Sequence, residues 1–326
     1  MASLGDRSDV TELLQSQSAG WHRSKLRLAV FALVGVVVLL AAYFRFARPV
    51  GSGPAGPEVP RGAFEKVWTE RPVLLVGLGD SVTAGFGASP GHSFFQRLVA
   101  NPPDEFPGMR GIRLPAVFPN FRATNMSVSG STSLEHASKQ IPRLPVAGSN
   151  VLGLVVMTTG GNDIIHDYGR SKPREGAMFG ATLEQARPWI ENFERRLDEM
   201  LGAITKKFPG GCHIFLADIY DPTDGVGDIS TAGLPGWKEG LDVLRAYNQA
   251  IFRVSKRHAN VYVVPMHDAF LGHGIHCTNF WRTHFNWRDP HYWFHDNLED
   301  PNDRGYDAIR RLMLIEMHRV LANHAR

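Results

Sequence analysis

The stretch VLLVGLGDSVTAG at residues 73–85 constrains the fold most strongly. Its first six residues are an apolar run bounded by Pro72 and by glycines, which is typical of a strand buried on both faces of a parallel sheet. The second half predicts a turn that leads into a helix. Asp80 and Ser81 stand where the strand ends, and open α/β sheets carry their chemistry at that edge. The sequence therefore predicts an α/β fold with Ser81 at the end of a central strand.

The glycine spacing in this stretch argues against two functions. A dinucleotide-binding turn needs G-x-G-x-x-G, but after Gly77 and Gly79 the third position is Val82. A phosphate-binding Walker loop needs lysine after its closing glycine, whereas Gly85 is followed by Phe86. Neither a nucleotide cofactor nor a bound phosphate explains the turn.

Two interpretations of Ser81 remain. It is a nucleophile whose own backbone N–H helps to hold an oxyanion, or it only caps the following helix together with Asp80. The tripeptide at residues 79–81 alone favours the cap. Motifs elsewhere in the chain favour the nucleophile.

Three short blocks resemble those of the SGNH (GDSL) hydrolases. GDSVTAG at residues 79–85 is close to the family's nucleophile block G-D-S-x-T-x-G. NMSVSGS at 125–131 is similar to its second block, whose glycine N–H enters the oxyanion hole, and GGND at 160–163 matches G-x-N-D, whose asparagine donates a third hydrogen bond. The resemblance covers roughly residue 72 to the C-terminus. It implies a flavodoxin-like fold and an ester hydrolase in which Ser81 attacks and Gly130 and Asn162 stabilise the oxyanion.

Strands and helices alternate along the rest of the chain. Apolar runs predict strands at 121–128, 151–157, 212–217 and 261–264. Helices are predicted at 93–100, 133–141, 183–207, 237–258 and 303–322. This order predicts a three-layer α/β sandwich around a central, mostly parallel five-stranded sheet. The loop at 221–236 is long enough to overhang the sheet edge and shape a substrate entrance.

The family's last block departs from its pattern in this chain. That block, D-x-x-H-P-N-x-x-G, supplies the histidine and aspartate that activate the serine. Here the run DNLEDPNDRG at 296–305 places Asp300 at the histidine position and Asn297 at the aspartate position. With one residue inserted before the proline, Asp296 takes the acid position and Glu299 the base position. Neither register supplies a histidine.

Three explanations of this departure stay open. A carboxylate, Glu299 or Asp300, acts as the base, which requires burial to raise its pKa. Alternatively a histidine of the histidine-rich stretch at 267–295 reaches Ser81, and the candidates in order of preference are His295, His291 and His273. In the third explanation the pocket only binds its ligand.

The histidine-rich stretch also has a metal-binding interpretation. His273, His276, Cys277 and His284 carry ligand types that suit zinc, but their spacing matches no standard zinc pattern. Surface histidines in irregular loops are the commoner case. We therefore expect no metal and no other cofactor.

The N-terminal region is distinct from the α/β domain. Residues 28–44 are uncharged and apolar, about long enough to span a bilayer, and Arg23, Lys25 and Arg27 before them favour a cytoplasmic N-terminus. The absence of a small-x-small cleavage site favours an uncleaved signal-anchor over a signal peptide. The predicted organisation is a cytoplasmic leader at 1–27, a transmembrane anchor at 28–44, a flexible Gly/Pro tether at 45–66 and a hydrolase-like domain at 67–326, in the periplasm or at the cell surface.

Composition limits the partners of the chain. A net charge of +3 over 326 residues is too small to indicate nucleic-acid binding, and two cysteines cannot make a disulfide framework. The sequence predicts a membrane-anchored serine esterase or acyl hydrolase whose substrate is a small-molecule, glycan or lipid ester. The alternatives are a non-catalytic module that binds a glycan or envelope component, and an acyltransferase to an envelope sugar.

Overall fold

The computed structural model describes residues 25–43 and 48–321, in two units that divide between Pro49 and Val50. In the first unit, helix α1 (Lys25–Tyr43) has 19 residues and a mean hydropathy of 2.4, so it is long and apolar enough to cross a membrane. Signal sequences share this length and composition. Most of the predicted leader at 1–27 and the start of the predicted tether lie outside the described residues, as does residue 44 of the predicted span.

The second unit is built on a five-stranded sheet, and neighbouring strands are parallel throughout. The strand order is β2-β1-β3-β4-β5. The strands are β1 (Val73–Leu78), β2 (Phe121–Asn125), β3 (Leu152–Met157), β4 (Cys212–Ala217) and β5 (Val261–Val264). The predicted fold class is confirmed. Strand β2 ends three residues earlier than expected, because Asn125 Oδ1 accepts a hydrogen bond from Ser127 N at 3.2 Å and turns the chain.

Helices cover both faces of the sheet. The short ones are α2 (Ser81–Ala84), α3 (Phe94–Val99), α4 (Leu114–Val117), α5 (Ser133–Glu135), α6 (Ile141–Arg143), α7 (Gly161–Ile165) and α10 (Met266–Phe270). The long ones are α8 (Leu183–Lys206), α9 (Gly240–Ser255) and α11 (Asp303–Leu321). The single helix predicted at 133–141 is instead α5, a π-helical turn (His136–Gln140) and α6.

Alternating strand residues divide the interior into two cores. On β3, Leu154 and Val156 pack into the cluster formed with α3 and α11. Val155 and Met157 point to the opposite face and pack against α8 and α9. The period of two in a β-strand therefore produces the three layers. Cys212 and Cys277, in different parts of this unit, are both buried.

Residues 50–64, predicted as part of a flexible tether, are packed against the domain. Asp307 on α11 accepts a hydrogen bond from Ala55 N at 3.1 Å, and Arg311 donates to the Pro57 carbonyl at 3.3 Å. Three side chains of this segment are buried: Ala55, Val59 and Phe64. The tether prediction fails here because backbone groups of the segment satisfy buried charges on α11, a pairing that Gly/Pro content does not reveal.

Those charges belong to a buried ionic cluster. Arg310, with no exposed surface, lies 2.6 Å from Glu105 and also pairs with Asp307. Asp307 in turn lies 3.0 Å from Arg311 and 3.6 Å from Arg97. Burial alone would raise the pKa of Asp307, but Arg310 and Arg311 hold it below its usual value. The Asp307 carboxylate is therefore ionised and lies among three buried arginines.

Asp307→Ala is expected to lower the free energy of unfolding by about 3–5 kcal/mol, because it leaves buried guanidinium groups uncompensated. Urea denaturation of the full chain measures this. The matched control is Asp242→Ala, which breaks an exposed 2.8 Å pair with Arg245 and should cost no more than about 1 kcal/mol. Equal losses for the two variants would contradict the assignment.

Candidate active site

The turn after β1 is fixed by a glycine and an aspartate. Gly79 has a φ of +117°, and a Cβ there would lie 2.0 Å from the Thr158 carbonyl oxygen, so no other residue fits. Asp80 caps α2, since its Oδ1 accepts from Val82 N at 3.1 Å and from Thr158 Oγ1 at 2.6 Å. Because Asp80 is the capping residue, the Ser81 hydroxyl is not used as the cap of this helix.

Asp300 lies beside the Ser81 hydroxyl. Burial raises the pKa of Asp300, and hydrogen bonds from Ser81 and Asn297 offset part of the rise. Asn297 Nδ2 donates to Asp300 Oδ2 at 2.7 Å. Asp300 is 1% exposed, and its Oδ1 has no hydrogen bond of regular geometry within the described chain. The structure therefore brings the Asp300 carboxyl to Ser81, with Asn297 bonded to its other oxygen.

Two further carboxyls lie near this pair. Burial raises the pKa of Asp80 to about 6. Burial, with the charges of Asp300 and Asp80, raises the pKa of Glu299 to about 7. Burial therefore raises the pKa of all three carboxyls above its ordinary value, and the charge of Asp300 adds to the rise for Asp80 and Glu299.

Asn162 and the second block meet on the other side of Ser81. Asn162 Nδ2 donates to the Ser131 carbonyl at 3.0 Å, and an amide nitrogen has a second hydrogen to donate. Asn162 lines the same cavity as Ser81. Gly130 precedes Ser131, has a φ of +78° and is exposed; it does not line the cavity. The structure thus brings Asn162 to the cavity that Ser81 lines, and Gly130 is one residue from the Asn162 contact.

A buried polar network holds the second block against the turn. Gln140 accepts from Gly79 N at 2.9 Å and donates to Gly79 O at 2.7 Å and to Ser131 Oγ at 3.1 Å. His136 lies 2.8 Å from Ser131 Oγ and 2.9 Å from Thr159 Oγ1, and burial lowers its pKa to about 4. Neither residue belongs to a sequence motif, and the short helical pattern after the second block was the one local signal for them.

The three candidate histidines differ in their surroundings. His295 is next to the carboxyls: its backbone N donates to Asp300 O at 2.7 Å, and its charge lowers the pKa of Asp300. Its ring packs on Phe86, and its buried Nδ1 has no hydrogen-bonding partner in the described chain. His295 is therefore close to Asp300, although it does not line the cavity.

His273 and His291 are held by other groups. His273 stacks on Trp293 with ring centroids 3.5 Å apart, its Nδ1 lies 3.0 Å from His291 O, and burial lowers its pKa to about 4. The His291 ring lies 2.5 Å from Asp289 Oδ1. Neither lines the cavity at Ser81. These contacts support packing roles for both histidines.

The zinc interpretation has no support in residues 25–43 and 48–321, where no group of three or more His, Cys, Asp or Glu side chains is arranged to hold a metal. His276, one of the suggested ligands, instead binds Asp228 through Nε2 at 2.8 Å and Asn279 through Nδ1 at 2.9 Å.

A cavity of about 140 Å³ opens at Ser81. The predicted entrance loop at 221–236 contributes part of its wall, as do α7 and α9. Tyr220 lines it and donates from Oη to the Glu299 carbonyl, which ties the end of β4 to the last block. The cavity is therefore lined both by Ser81 and by the carboxyls of Asp80 and Glu299.

Known proteins were compared with this fold and site. The profile of the GDSL-like lipase/acylhydrolase family matches residues 78–308, and the chain belongs to that family. No curated protein sequence matches the chain.

Several solved structures are similar to the chain. An extracellular lipase from Streptomyces rimosus is 18% identical, with 73% of this chain and 97% of the lipase covered and a TM-score of 0.47. An acetyl xylan esterase from Geobacillus stearothermophilus is 16% identical, with 77% and 97% covered and a TM-score of 0.48. A phospholipase A1 from Streptomyces albidoflavus is 19% identical, with 74% and 96% covered and a TM-score of 0.42.

Proposed function

We propose that the chain is a serine esterase or acyl hydrolase in which Ser81 is the nucleophile and Asp300 the general base. The observation that carries this proposal is the buried Asp300 carboxylate beside the hydroxyl of Ser81, which lines the same cavity as Asn162. A serine hydroxyl needs a neighbouring base to become nucleophilic. The position of Asp300 beside the Ser81 hydroxyl supports Asp300 as that base.

The reaction uses these groups in a fixed order. Ser81 Oγ forms a bond to the ester carbonyl carbon while its proton passes to Asp300. The tetrahedral intermediate then expels the alcohol, which takes the proton back from Asp300. In the second half Asp300 accepts a proton from water, the water oxygen attacks the acyl-Ser81 carbonyl, and the acid leaves as the proton returns to Ser81.

Three donors would stabilise the oxyanion: the backbone N–H groups of Ser81 and Gly130 and the side chain of Asn162. The free hydrogen on Asn162 Nδ2 and its place in the cavity support its part. Asn297, bound to Asp300 Oδ2, holds the carboxylate so that Oδ1 is left for the proton of Ser81. In the family's block an aspartate orients the histidine, and Asn297 would orient Asp300 in the same way.

One observation favours a rival function. The family's histidine is missing, and a carboxylate is an intrinsically weaker base. A site that only binds a glycan or envelope component would tolerate this replacement. The rival and the hydrolase differ in whether Ser81 is reactive.

Labelling with a fluorophosphonate separates the two, because only an activated serine reacts. We expect one adduct, mapped by mass spectrometry to Ser81, that is absent from Ser81→Ala and retained in Ser129→Ala, an exposed serine nearby. A full chain that takes up no label would favour the binding module.

The labelled full chain should stay in the membrane fraction after an alkaline wash if α1 is an anchor, as its length and composition support.

A further inference from the structure

The cavity at Ser81 is apolar over most of its wall. Its side chains come from α7 (Ile164), the entrance loop (Leu234) and α9 (Leu244). Trp237 closes one side, held by a 2.7 Å hydrogen bond from Nε1 to Ala181 O and by Phe179, whose ring centroid lies 5.0 Å away. Because the only polar atom of its indole is satisfied there, Trp237 presents an apolar face to the cavity.

The volume of the cavity limits what it holds. At about 140 Å³ it is close to the roughly 150 Å³ engineered apolar cavity that binds benzene. A sugar ring would leave its hydroxyls facing an apolar wall without partners, which is unfavourable. The cavity therefore suits an apolar group of about six carbon atoms.

The charged groups of the cavity are all acidic. Asp80, Asp218, Asp221 and Glu299 line its polar part, and no lysine, arginine or histidine of the described chain does. Burial raises the pKa of Asp218 to about 6, as it does that of Asp80. With Asp300 behind them, these groups oppose any anionic ligand, because an anion would be desolvated beside carboxylates and without a cation.

We propose that this cavity binds the acyl group of a neutral ester, apolar and about as bulky as a benzene ring, and that the carboxyls lining it exclude anionic substrates. The inference rests on the proposed function, in which Ser81 attacks the ester carbonyl at the polar end of the cavity. Each methylene added from acetyl to about hexanoyl should raise kcat/KM about fourfold. The carboxylic acid that hydrolysis releases is repelled by the same carboxylates that line the cavity.

The test uses benzamide and benzoate, which share a ring and differ in charge. Each is titrated calorimetrically into the full chain at about pH 8, above the ordinary carboxyl pKa range. We expect benzamide to bind at least about tenfold more tightly than benzoate, and Glu299→Gln to narrow that ratio. Leu244→Trp, which fills the cavity, should weaken benzamide binding at least about tenfold.

The matched control is Phe252→Trp, at an exposed position of the same helix α9. Leu234→Trp, in the loop, replaces Leu244→Trp if the helix variant does not fold. Equal affinities for benzamide and benzoate would overturn the charge exclusion, and benzamide binding unchanged by the filling variants would overturn the site. Because neither probe is an ester, a result for the cavity is independent of labelling at Ser81. Failure of the labelling alone would remove the proposed function and leave a binding site for a neutral apolar group.

Discussion

Ser81→Ala is expected to lower kcat for p-nitrophenyl butyrate by about six orders of magnitude, which is the loss that follows when a serine hydrolase loses its nucleophile. The fold should survive, because the cap of α2 is provided by Asp80 and the Ser81 side chain supports no helix. Steady-state kinetics of the full chain measure the loss, and far-UV circular dichroism checks the fold.

The control for this experiment is Ser129→Ala, in the exposed loop after β2. It removes a hydroxyl from the second block without touching the β1 turn, so kcat should stay within about twofold of the wild type, as for a surface substitution. Ser81→Ala retaining more than about a hundredth of the wild-type kcat would refute Ser81 as the nucleophile.

Asp300→Asn is expected to lower kcat/KM by about 10²–10⁴, the usual contribution of a general base. Asparagine keeps the shape of the side chain but does not accept the Ser81 proton. Esterase kinetics together with the rate of fluorophosphonate labelling measure the effect, and both should fall together because both require the activated hydroxyl.

A paired substitution tests the role of Asp300 in the opposite direction. Asn297→Asp combined with Asp300→His recreates the family's D-x-x-H spacing at the same positions. The kcat/KM of this double variant should be at least about tenfold higher than that of Asp300→Asn. If Asp300→Asn stays within tenfold of the wild type while His295→Ala is inactive, His295 is the base instead.

The pH profile is a second readout of the same substitutions. The base must be ionised to accept a proton, and burial raises the pKa of Asp300, so kcat/KM should fall as the pH drops through the range in which the cluster protonates. Because the pKa of Glu299 is about 7 and that of Asp80 about 6, the apparent pKa of the pH profile belongs to the group of carboxyls and not to Asp300 alone. Glu299→Gln removes one negative neighbour and should move this limb to lower pH. A limb that does not move would show that Glu299 is not coupled to the base.

The sequence predicted the fold because its strands carry strong local signals. The apolar run before Ser81 and the run at 151–157 are buried on both faces of a parallel sheet, and such runs are read without knowing the neighbouring strands. The long helices α8 and α11 were predicted within a residue of their described bounds. The helix predicted at 133–141 was wrong in detail, because side chains such as Gln140 bond to Gly79 in another part of the chain.

The site was predictable only where short motifs carried it. The motif around Ser81 and the Asn162 motif each end a central strand, so parallel topology brings them to one edge. The sequence left the base open, because two registers of one loop gave different carboxylates, and the contact between Asp300 and Ser81 depends on the fold. The environment of His273 was hidden for the same reason: its stacking on Trp293 is a long-range contact without a local pattern.

The packing of residues 50–64 on α11 changes where this domain starts. The family profile begins at residue 78. Asp307 nevertheless accepts a hydrogen bond from the backbone N–H of Ala55, which lies more than twenty residues before that boundary. Peptide groups at the N-terminal end of the unit thus form hydrogen bonds with a carboxylate and an arginine of the last helix. These bonds hold the two ends of the unit together without a covalent crosslink. The smallest piece able to fold as the native unit therefore includes this leading segment, and a version trimmed to the profile boundary would expose polar groups that the native protein never leaves unpaired.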